Sequence, residues 1–293
     1  MQNTPRSAAF ILLGVLSMIW GTSFILIKQG LKVFSPDEVG SLRVASASFF
    51  LLPMALVHLR GLKIADYWKL FASGMMGIFI PAFLYATAQT RMDSSVAGII
   101  NTLTPLFTMM VGAFVFKQTF RGYAIVGIIL GFAGTVLLSL SRSGGSVTGF
   151  NTYSLLIVLA CLFYGANLNF IKFSIPDLRA PTITSISLML IGPLAFIYLF
   201  GFTDFTGKLS THPGAWRAFG FITLLGFMST AVATILFNKL VKISTPMFAS
   251  SVTYLMPVVV VMWGVLDSEV LQTGHFIGMI AIVGGVYLAN RKS

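Results

Sequence analysis

Long apolar segments recur along the whole chain and exclude most folds. Each is about 17 to 25 residues long, enough for one membrane crossing. Lipid offers the backbone no hydrogen-bond partner, so spanning segments are helices or strands of closed barrels, and these segments lack the period-two alternation of barrel strands. We therefore predict an all-α membrane protein with ten transmembrane helices. The predicted helices cover residues 8–28, 37–59, 67–90, 93–116, 121–140, 153–173, 181–202, 215–238, 246–267 and 274–290.

The composition agrees with a lipid bilayer as the surroundings of the chain. Hydrophobic residues make up 56% of the sequence and charged residues only 9%, which is too little polar surface for a soluble protein of this length. The net charge of +11 is dispersed over the loops, so we expect no nucleic-acid partner. A single cysteine and the absence of a metal-binding Cys/His spacing predict neither a metal site nor a cofactor.

The basic residues are divided unequally between the two sides of the predicted bundle. With ten spans both termini lie on one side, and that side holds most of the arginines and lysines with only two acids, Asp66 and Asp177. On the other side cations and acids are equal in number. The positive-inside rule therefore places both termini in the cytoplasm.

A polar linker divides the chain into two similar halves. The segment SRSGGSVTGFN at 141–151 follows the fifth predicted helix, so we assign residues 1–140 to a first five-helix repeat, 141–152 to the linker and 153–293 to a second repeat. Because each repeat crosses the membrane an odd number of times, the second enters from the opposite side. The pair therefore has inverted topology, the arrangement in which two halves alternately open a central site to each side.

Matching residues support this internal repeat. Trp20, Gly21 and Lys28 in the first helix correspond to Tyr164, Gly165 and Lys172 in the sixth, 144 positions later. In the fourth and ninth helices, the segment SSVAGIINTLTPLF (94–107) aligns with TPMFASSVTYLMPVV (245–259).

Several motifs together resemble those of a known family. They are WGTSF at 20–24, Pro36 with Arg43 early in the second helix, and YLMPVVVVMWGVLDSE at 254–269. In this order the chain resembles the EamA branch of the drug/metabolite transporter superfamily. The resemblance implies a bacterial inner-membrane exporter or exchanger of small metabolites, often amino acids, with a central cavity lined by helices one to four and six to nine. Arg43 aligns with Leu188, so the halves differ at that position.

Polar and aromatic residues recur on one face of several helices. Spacings of three, four and seven residues place such side chains on the same face, as expected for a helix that borders a cavity. The predicted substrate-binding residues are Trp20, Ser23, Phe24, Arg43, Tyr85, Gln89, Asn101, Thr104, Tyr164, Asn167, Thr234, Asn238, Thr253 and Tyr254. For any single Ser or Thr, a hydrogen bond that joins helices is the more ordinary role.

Arg43 is the one charged residue that we place inside a predicted span. A charge there costs at least a few kcal/mol unless it reaches the interface or finds a partner. The candidate partners are Asp37, Glu38, Asp93 or a carboxylate of the substrate.

No Asp or Glu lies near the middle of any predicted helix. Ion-coupled carriers usually place an acid on the transport path, so the sequence predicts uncoupled transport of neutral, zwitterionic or anionic compounds. The alternative is a proton-coupled drug or metabolite antiporter that uses Asp93, Glu269 or His275 at the membrane edge.

Two other classes of protein compete with a transporter. An intramembrane enzyme is disfavoured because G-x-S-x-G and H-E-x-x-H motifs are absent. A membrane scaffold would not need polar stripes on corresponding helices. Glycines spaced by four, at 127 and 131 and at their counterparts near the carboxyl end, indicate close helix packing within the bundle or with a second copy in a homodimer.

Overall fold

The structure, a computed structural model, describes residues 6–92, 94–142, 152–266 and 273–289. Helices dominate these ranges, and no strand occurs in them. The helices are α1 (Arg6–Gly30), α2 (Pro36–His58), α3 (Ile64–Gly74), α4 (Ile80–Ala88), α5 (Ser94–Asn101), α6 (Thr104–Phe114), α7 (Gly122–Arg142), α8 (Ser154–Ser174), α9 (Ala180–Gly201), α10 (Phe205–Thr211), α11 (Ala215–Leu225), α12 (Ala233–Ile243), α13 (Pro246–Ser250), α14 (Val252–Leu266) and α15 (Thr273–Ala289). Two π-helical segments, Met75–Phe79 and Gly226–Val232, join α3 to α4 and α11 to α12.

In the described part of the chain, seven helical segments are long and apolar enough to cross a membrane, and three shorter apolar helices accompany them. The seven are Ser7–Gly30, Pro36–His58, Ile64–Ala88, Val96–Phe114, Ser154–Ser174, Ala180–Gly201 and Ala215–Ile243. The shorter ones are Gly122–Leu137, Pro246–Val259 and Phe276–Ala289. The predicted all-helical, multi-pass membrane protein is therefore confirmed. The short helix α10 was not predicted.

The outer surface of the bundle is apolar. Large side chains such as Phe114 and Ile280 are well exposed on it, which is expected where lipid rather than water surrounds the protein. Trp68 and Trp216 are 71% and 68% exposed and lie near the starts of α3 and α11, at the level where tryptophan usually meets the membrane–water interface.

The helices α1 and α8 run in opposite directions. The chain turns back between α1 and α2, so α3 starts at the end of the bundle opposite to the end of α1. Near the start of α3, the Lys69 ammonium donates a hydrogen bond to the Ser174 carbonyl at the end of α8, at 3.0 Å. Since α8 ends at this side and α1 ends at the other, the two matching helices are antiparallel.

Two matching glycines make reciprocal contacts between the halves. A Cβ at Gly21 of α1 would lie 2.9 Å from Val259 Cβ and 3.2 Å from the Met256 carbonyl of α14. A Cβ at Gly165 of α8 would lie 2.7 Å from the Thr108 backbone nitrogen of α6. Helix α1 therefore packs against α14 and helix α8 against α6, and glycine permits the close approach in both places.

The helices α7 and α15 pack tightly through glycine. A Cβ at Gly127 would overlap the Ala289 nitrogen, and one at Gly285 would lie 2.5 Å from the Gly131 nitrogen. The neighbouring atoms belong to backbone that cannot move aside independently of its helix. The close packing predicted for these glycines thus occurs between α7 and α15 of the same chain.

We expect Gly285→Ala to lower the stability of the protein against unfolding by about 1 to 3 kcal/mol, because the added methyl group separates α7 from α15. The adjacent Gly284→Ala is the matched control, since its Cβ would meet only Leu130 Cδ2 at 3.8 Å, an ordinary contact. The measurement is thermal unfolding of both variants in detergent. Equal unfolding temperatures for the two variants would contradict the assigned contact.

Candidate substrate-binding cavity

A cavity lies at the centre of the bundle, between helices of both halves. The empty space inside it, counted with any solvent at its mouth, is about 910 Å³. Helices α1, α2, α4, α5, α6, α8, α12, α13 and α14 and both π-helical segments contribute to its wall. The lining residues are Trp20, Ser23, Phe24, Ile27, Arg43, Gly77, Ile78, Tyr85, Asn101, Thr104, Tyr164, Asn167, Leu168, Ser229, Thr230, Thr234, Phe237, Asn238, Ser250, Val252, Thr253 and Met256.

Most of the residues predicted to bind substrate line this cavity; Gln89 and Tyr254 do not. The Tyr254 hydroxyl donates to the Ile128 carbonyl at 3.1 Å, and its ring packs against Gly131, so it joins α14 to α7. Gln89 is buried just after α4, where its Oε1 accepts a hydrogen bond from Ser94 Oγ at 3.0 Å. Contact with a substrate remains a prediction for the other residues.

One side of the cavity is closed by contacts between α1 and the second π-helical segment. The Trp20 indole Nε1–H donates to the Ser229 carbonyl at 3.0 Å, and the Ser23 and Ser229 hydroxyls share a short hydrogen bond. The Trp20 ring meets Phe237 edge to face, with 4.8 Å between ring centroids. A polar bridge and an aromatic contact therefore join the first half to the second at the cavity.

Asn101 lies where the break between α5 and α6 meets the cavity. Its Oδ1 accepts a hydrogen bond from the Tyr85 hydroxyl at 2.5 Å, and its Nδ2 faces Met256 Sδ at 3.4 Å. Pro105 has no N–H to donate to the Asn101 carbonyl four residues earlier. The Thr104 hydroxyl donates to that carbonyl instead, at 2.8 Å.

Two further amides are held at the cavity by neighbouring hydroxyls. Asn167 Oδ1 accepts from Ser73 Oγ at 2.7 Å, and Asn238 Nδ2 donates to Thr184 Oγ1 at 2.8 Å. Gly77 leaves room for the first of them, because a Cβ there would overlap the Asn167 amide. Each amide retains unused hydrogen-bonding capacity beside the cavity.

Arg43 also reaches the cavity wall. Its Nε donates to Thr230 Oγ1 at 2.7 Å. Of its predicted partners, Glu38 is 1% exposed and instead pairs with Lys208 at 2.7 Å, and Asp37 accepts a 3.5 Å hydrogen bond from the Tyr198 hydroxyl. Asp93 lies outside the described residues. Within the described ranges, Arg43 is therefore without a carboxylate partner.

The π-helical segments contribute residues to the cavity wall that helical periodicity did not predict. Gly77 and Ile78 come from the first segment and Ser229 from the second, and all three line the cavity. One wider turn rotates the following residues relative to the 3.6-residue repeat, and such turns are frequent at functional sites. Ser229 could have been found only as a hydroxyl shortly before the predicted residues Thr234 and Asn238.

The described residues contain no group of three or more His, Cys, Asp or Glu side chains placed to hold a metal ion. The chemistry that the lining offers is hydrogen bonding by amides and hydroxyls, contact with aromatic rings and one positive charge.

A multi-pass helical bundle that encloses a cavity with amides, hydroxyls and one arginine in its wall is the arrangement expected of a membrane transporter. The chain is a member of the EamA-like transporter family, whose model matches residues 8–140 and 151–291. The resemblance seen in the sequence motifs is thereby confirmed.

Curated relatives with similar sequences are named as transporters. An "Uncharacterized transporter" of Archaeoglobus fulgidus is 25% identical over 97% of this chain and 99% of its own. The "Uncharacterized inner membrane transporter YedA" of Escherichia coli K12 is 25% identical over 94% and 88%, and the "Probable amino-acid metabolite efflux pump" of the same organism is 26% identical over 94% and 93%. A crystal structure at 19% identity, covering 97% of both chains, has the same fold with a TM-score of 0.71.

Proposed function

We propose that the protein is an alternating-access carrier that exports or exchanges small neutral or zwitterionic metabolites, with amino acids as the leading class. The observation that carries this proposal is the cavity between helices of both halves, whose wall combines apolar and aromatic side chains with amides, hydroxyls and Arg43, inside a bundle whose outer surface is apolar. A site that both halves build can be exposed to either side when the halves rock against each other.

The inverted ten-helix repeat, with domain boundaries at 1–140 and 153–293, is part of the proposal. The two separate matches of the family model, to residues 8–140 and 151–291, support it. The antiparallel directions of α1 and α8 support it as well, since Lys69 contacts the end of α8. So do the reciprocal contacts of Gly21 and Gly165, because a two-fold axis exchanges equivalent contacts between two copies.

Amino acids are favoured as substrates by two observations. One relative is named a probable amino-acid metabolite efflux pump. The cavity wall offers amides, hydroxyls and aromatic rings but no carboxylate among its lining residues, which suits a compound without net positive charge.

Orientation and assembly complete the proposal. Both termini lie in the cytoplasm of a cell with an inner membrane, and the lysine-rich end of the bundle around Lys69, Lys172 and Lys242 faces the same side. A homodimer through the apolar outer faces is compatible with this arrangement.

We expect counterflow without any imposed ion gradient. Purified protein in liposomes preloaded with a mixture of neutral amino acids should take up a labelled amino acid from outside, in a saturable manner, while protein-free liposomes take up none. The physical reason is that the lining residues carry no acid that would bind a coupling ion.

The same assay separates the alternatives. Uptake that begins only when a pH gradient is applied would favour the proton-coupled antiporter. Its proton site would be His275 of α15, or Asp93 or Glu269, which lie outside the described residues. No uptake of any amino acid or other metabolite under either condition would favour a scaffold or an enzyme over a carrier.

A further inference from the structure

Arg43 is the only charged residue among the described residues that line the cavity. Resting on the proposed transport function, we infer that Arg43 binds a carboxylate group of the transported compound. The transported class is then organic acids and amino acids, in which that carboxylate is the shared group.

The guanidinium has donors available for such a ligand. Of its five N–H donors, the described residues accept only one, the Nε–H that bonds to Thr230 Oγ1. The amino groups at its far end remain for a partner. Their planar fork matches the two oxygens of a carboxylate, and such paired hydrogen bonds are stronger than those between neutral groups.

Asp37 and Glu38, the two candidate carboxylates that the structure describes, each bond to another group. Glu38 bonds to Lys208 and also accepts from the Ser35 backbone nitrogen at 2.7 Å, which fixes it to the first turn of α2. Asp37 contacts Tyr198. A positive charge in a membrane bundle is costly without a counter-charge. A substrate carboxylate would supply that counter-charge at the cavity.

The neighbouring elements hold Arg43 in this position. Thr230 lies in the second π-helical segment. This segment lies close to α2 at Gly226, where an added Cβ would be 2.8 Å from the Arg43 carbonyl. The Arg43–Thr230 hydrogen bond therefore fixes the stem of the guanidinium while leaving its far end directed to other partners.

Only the first of the two predicted repeats carries a charge at the position of Arg43. Leu188, the matching residue of the second half, is fully buried in an apolar cluster with Val44 and Ile191. A cavity with one cation binds a carboxylate substrate in one orientation.

The rings of Phe24, Tyr85 and Tyr164 also line the cavity, with centroids 6.0 and 6.2 Å apart in succession. They suit an ammonium group or an apolar side chain of the substrate.

The first test compares ligands that share one ring and differ in charge. Phenylalanine, 3-phenylpropanoate, phenylalaninamide and 2-phenylethylamine are titrated calorimetrically into the detergent-solubilised protein, and each is then tested in counterflow. We expect binding of the two compounds that carry a carboxylate and at least about tenfold weaker binding of the other two, the loss typical of a missing hydrogen bond to a charged group. Leucine and its matching derivatives form a second set without an aromatic ring.

The second test uses variants at Arg43. Arg43→Gln should weaken carboxylate binding at least about tenfold, and Arg43→Lys should restore part of it, since the charge returns without the planar fork. Lys32→Gln is the matched control, because it removes an exposed cation outside the cavity. Thermal unfolding of each variant shows whether it is folded, and the ligand comparison in the unsubstituted protein does not depend on any variant.

The outcomes separate this inference from the proposed function. Equal binding of phenylalaninamide and phenylalanine, or unchanged carboxylate binding in folded Arg43→Gln, would overturn the inference even if transport is observed. Transport of uncharged compounds with no carboxylate binding would do the same. Carboxylate binding that depends on Arg43, in a protein that transports nothing, would support the inference about Arg43 and refute the proposed transport function. Equal binding of 3-phenylpropanoate and phenylalanine would support the inference and show that the carboxylate alone is recognised. Tighter binding of phenylalanine would also support it and show that the ammonium group is recognised as well.

Discussion

Oxidation of a Ser23→Cys, Ser229→Cys protein is expected to stop exchange completely, and reduction is expected to restore it. The two hydroxyls share a short hydrogen bond between α1 and the second π-helical segment, so the substituted thiols lie within reach of a disulfide. A covalent bond there would tie the first half of the chain to the second. If the halves rock against each other during transport, the bond arrests the cycle in one state.

The experiment requires a background without other thiols. Cys161 is the only cysteine in the sequence and is buried, so Cys161→Ser is introduced first. The single variants Ser23→Cys and Ser229→Cys are the matched controls and should keep their exchange under oxidation. Formation of the disulfide with undiminished exchange would mean that this contact persists throughout the cycle, and the proposed movement between the halves would then be wrong at this place.

The helices could be predicted because the length of each apolar segment can be counted directly in the sequence. Each predicted apolar segment coincides with a described helix or with two helices joined by a break or a π-helical segment. Proline at 105 indicated a disturbed helix there, and the structure ends α5 at Asn101 and begins α6 at Thr104. The segment α10 escaped prediction because a helix of this length carries no apolar period.

The cavity wall was predictable where a helix is regular. In α12, Thr234 and Asn238 are four residues apart and both line the cavity, as one face of an α-helix requires. Ser229 was missed because it lies in a π-helical segment, where the period that relates sequence to face changes. The sequence carries no clear signal for such a segment.

Partners between distant helices could not be derived from one sequence. The spacing of Tyr254 in the sequence predicts that it faces the cavity. Its hydroxyl instead bonds to the Ile128 carbonyl, because α7 and α14 are neighbours. Likewise, Glu38 was an equal candidate for Arg43 until its pairing with Lys208 from α10 was known. Both outcomes depend on how helices are arranged, which hydrophobic periodicity does not encode.

Trp20→Ala should reduce exchange by at least about thirtyfold. Truncation of a large aromatic anchor in a binding pocket costs about 2 kcal/mol or more, which corresponds to that factor. The indole bonds to the Ser229 carbonyl and contacts Phe237, so its loss removes part of the cavity wall and also a link between the two halves. The measurement is the initial rate of counterflow as a function of substrate concentration.

Two further variants separate the roles of this side chain. Trp20→Phe keeps a ring against Phe237 but has no N–H for Ser229, so a rate between those of Trp20→Ala and the unsubstituted protein would show that both contacts contribute. Trp68→Ala is the matched control, because Trp68 is 71% exposed on the outer surface and should leave exchange unchanged. Full activity of a folded Trp20→Ala protein would reduce Trp20 to a contact between helices, and the substrate would then be held by the other lining residues, among them Arg43 and the rings of Phe24, Tyr85 and Tyr164.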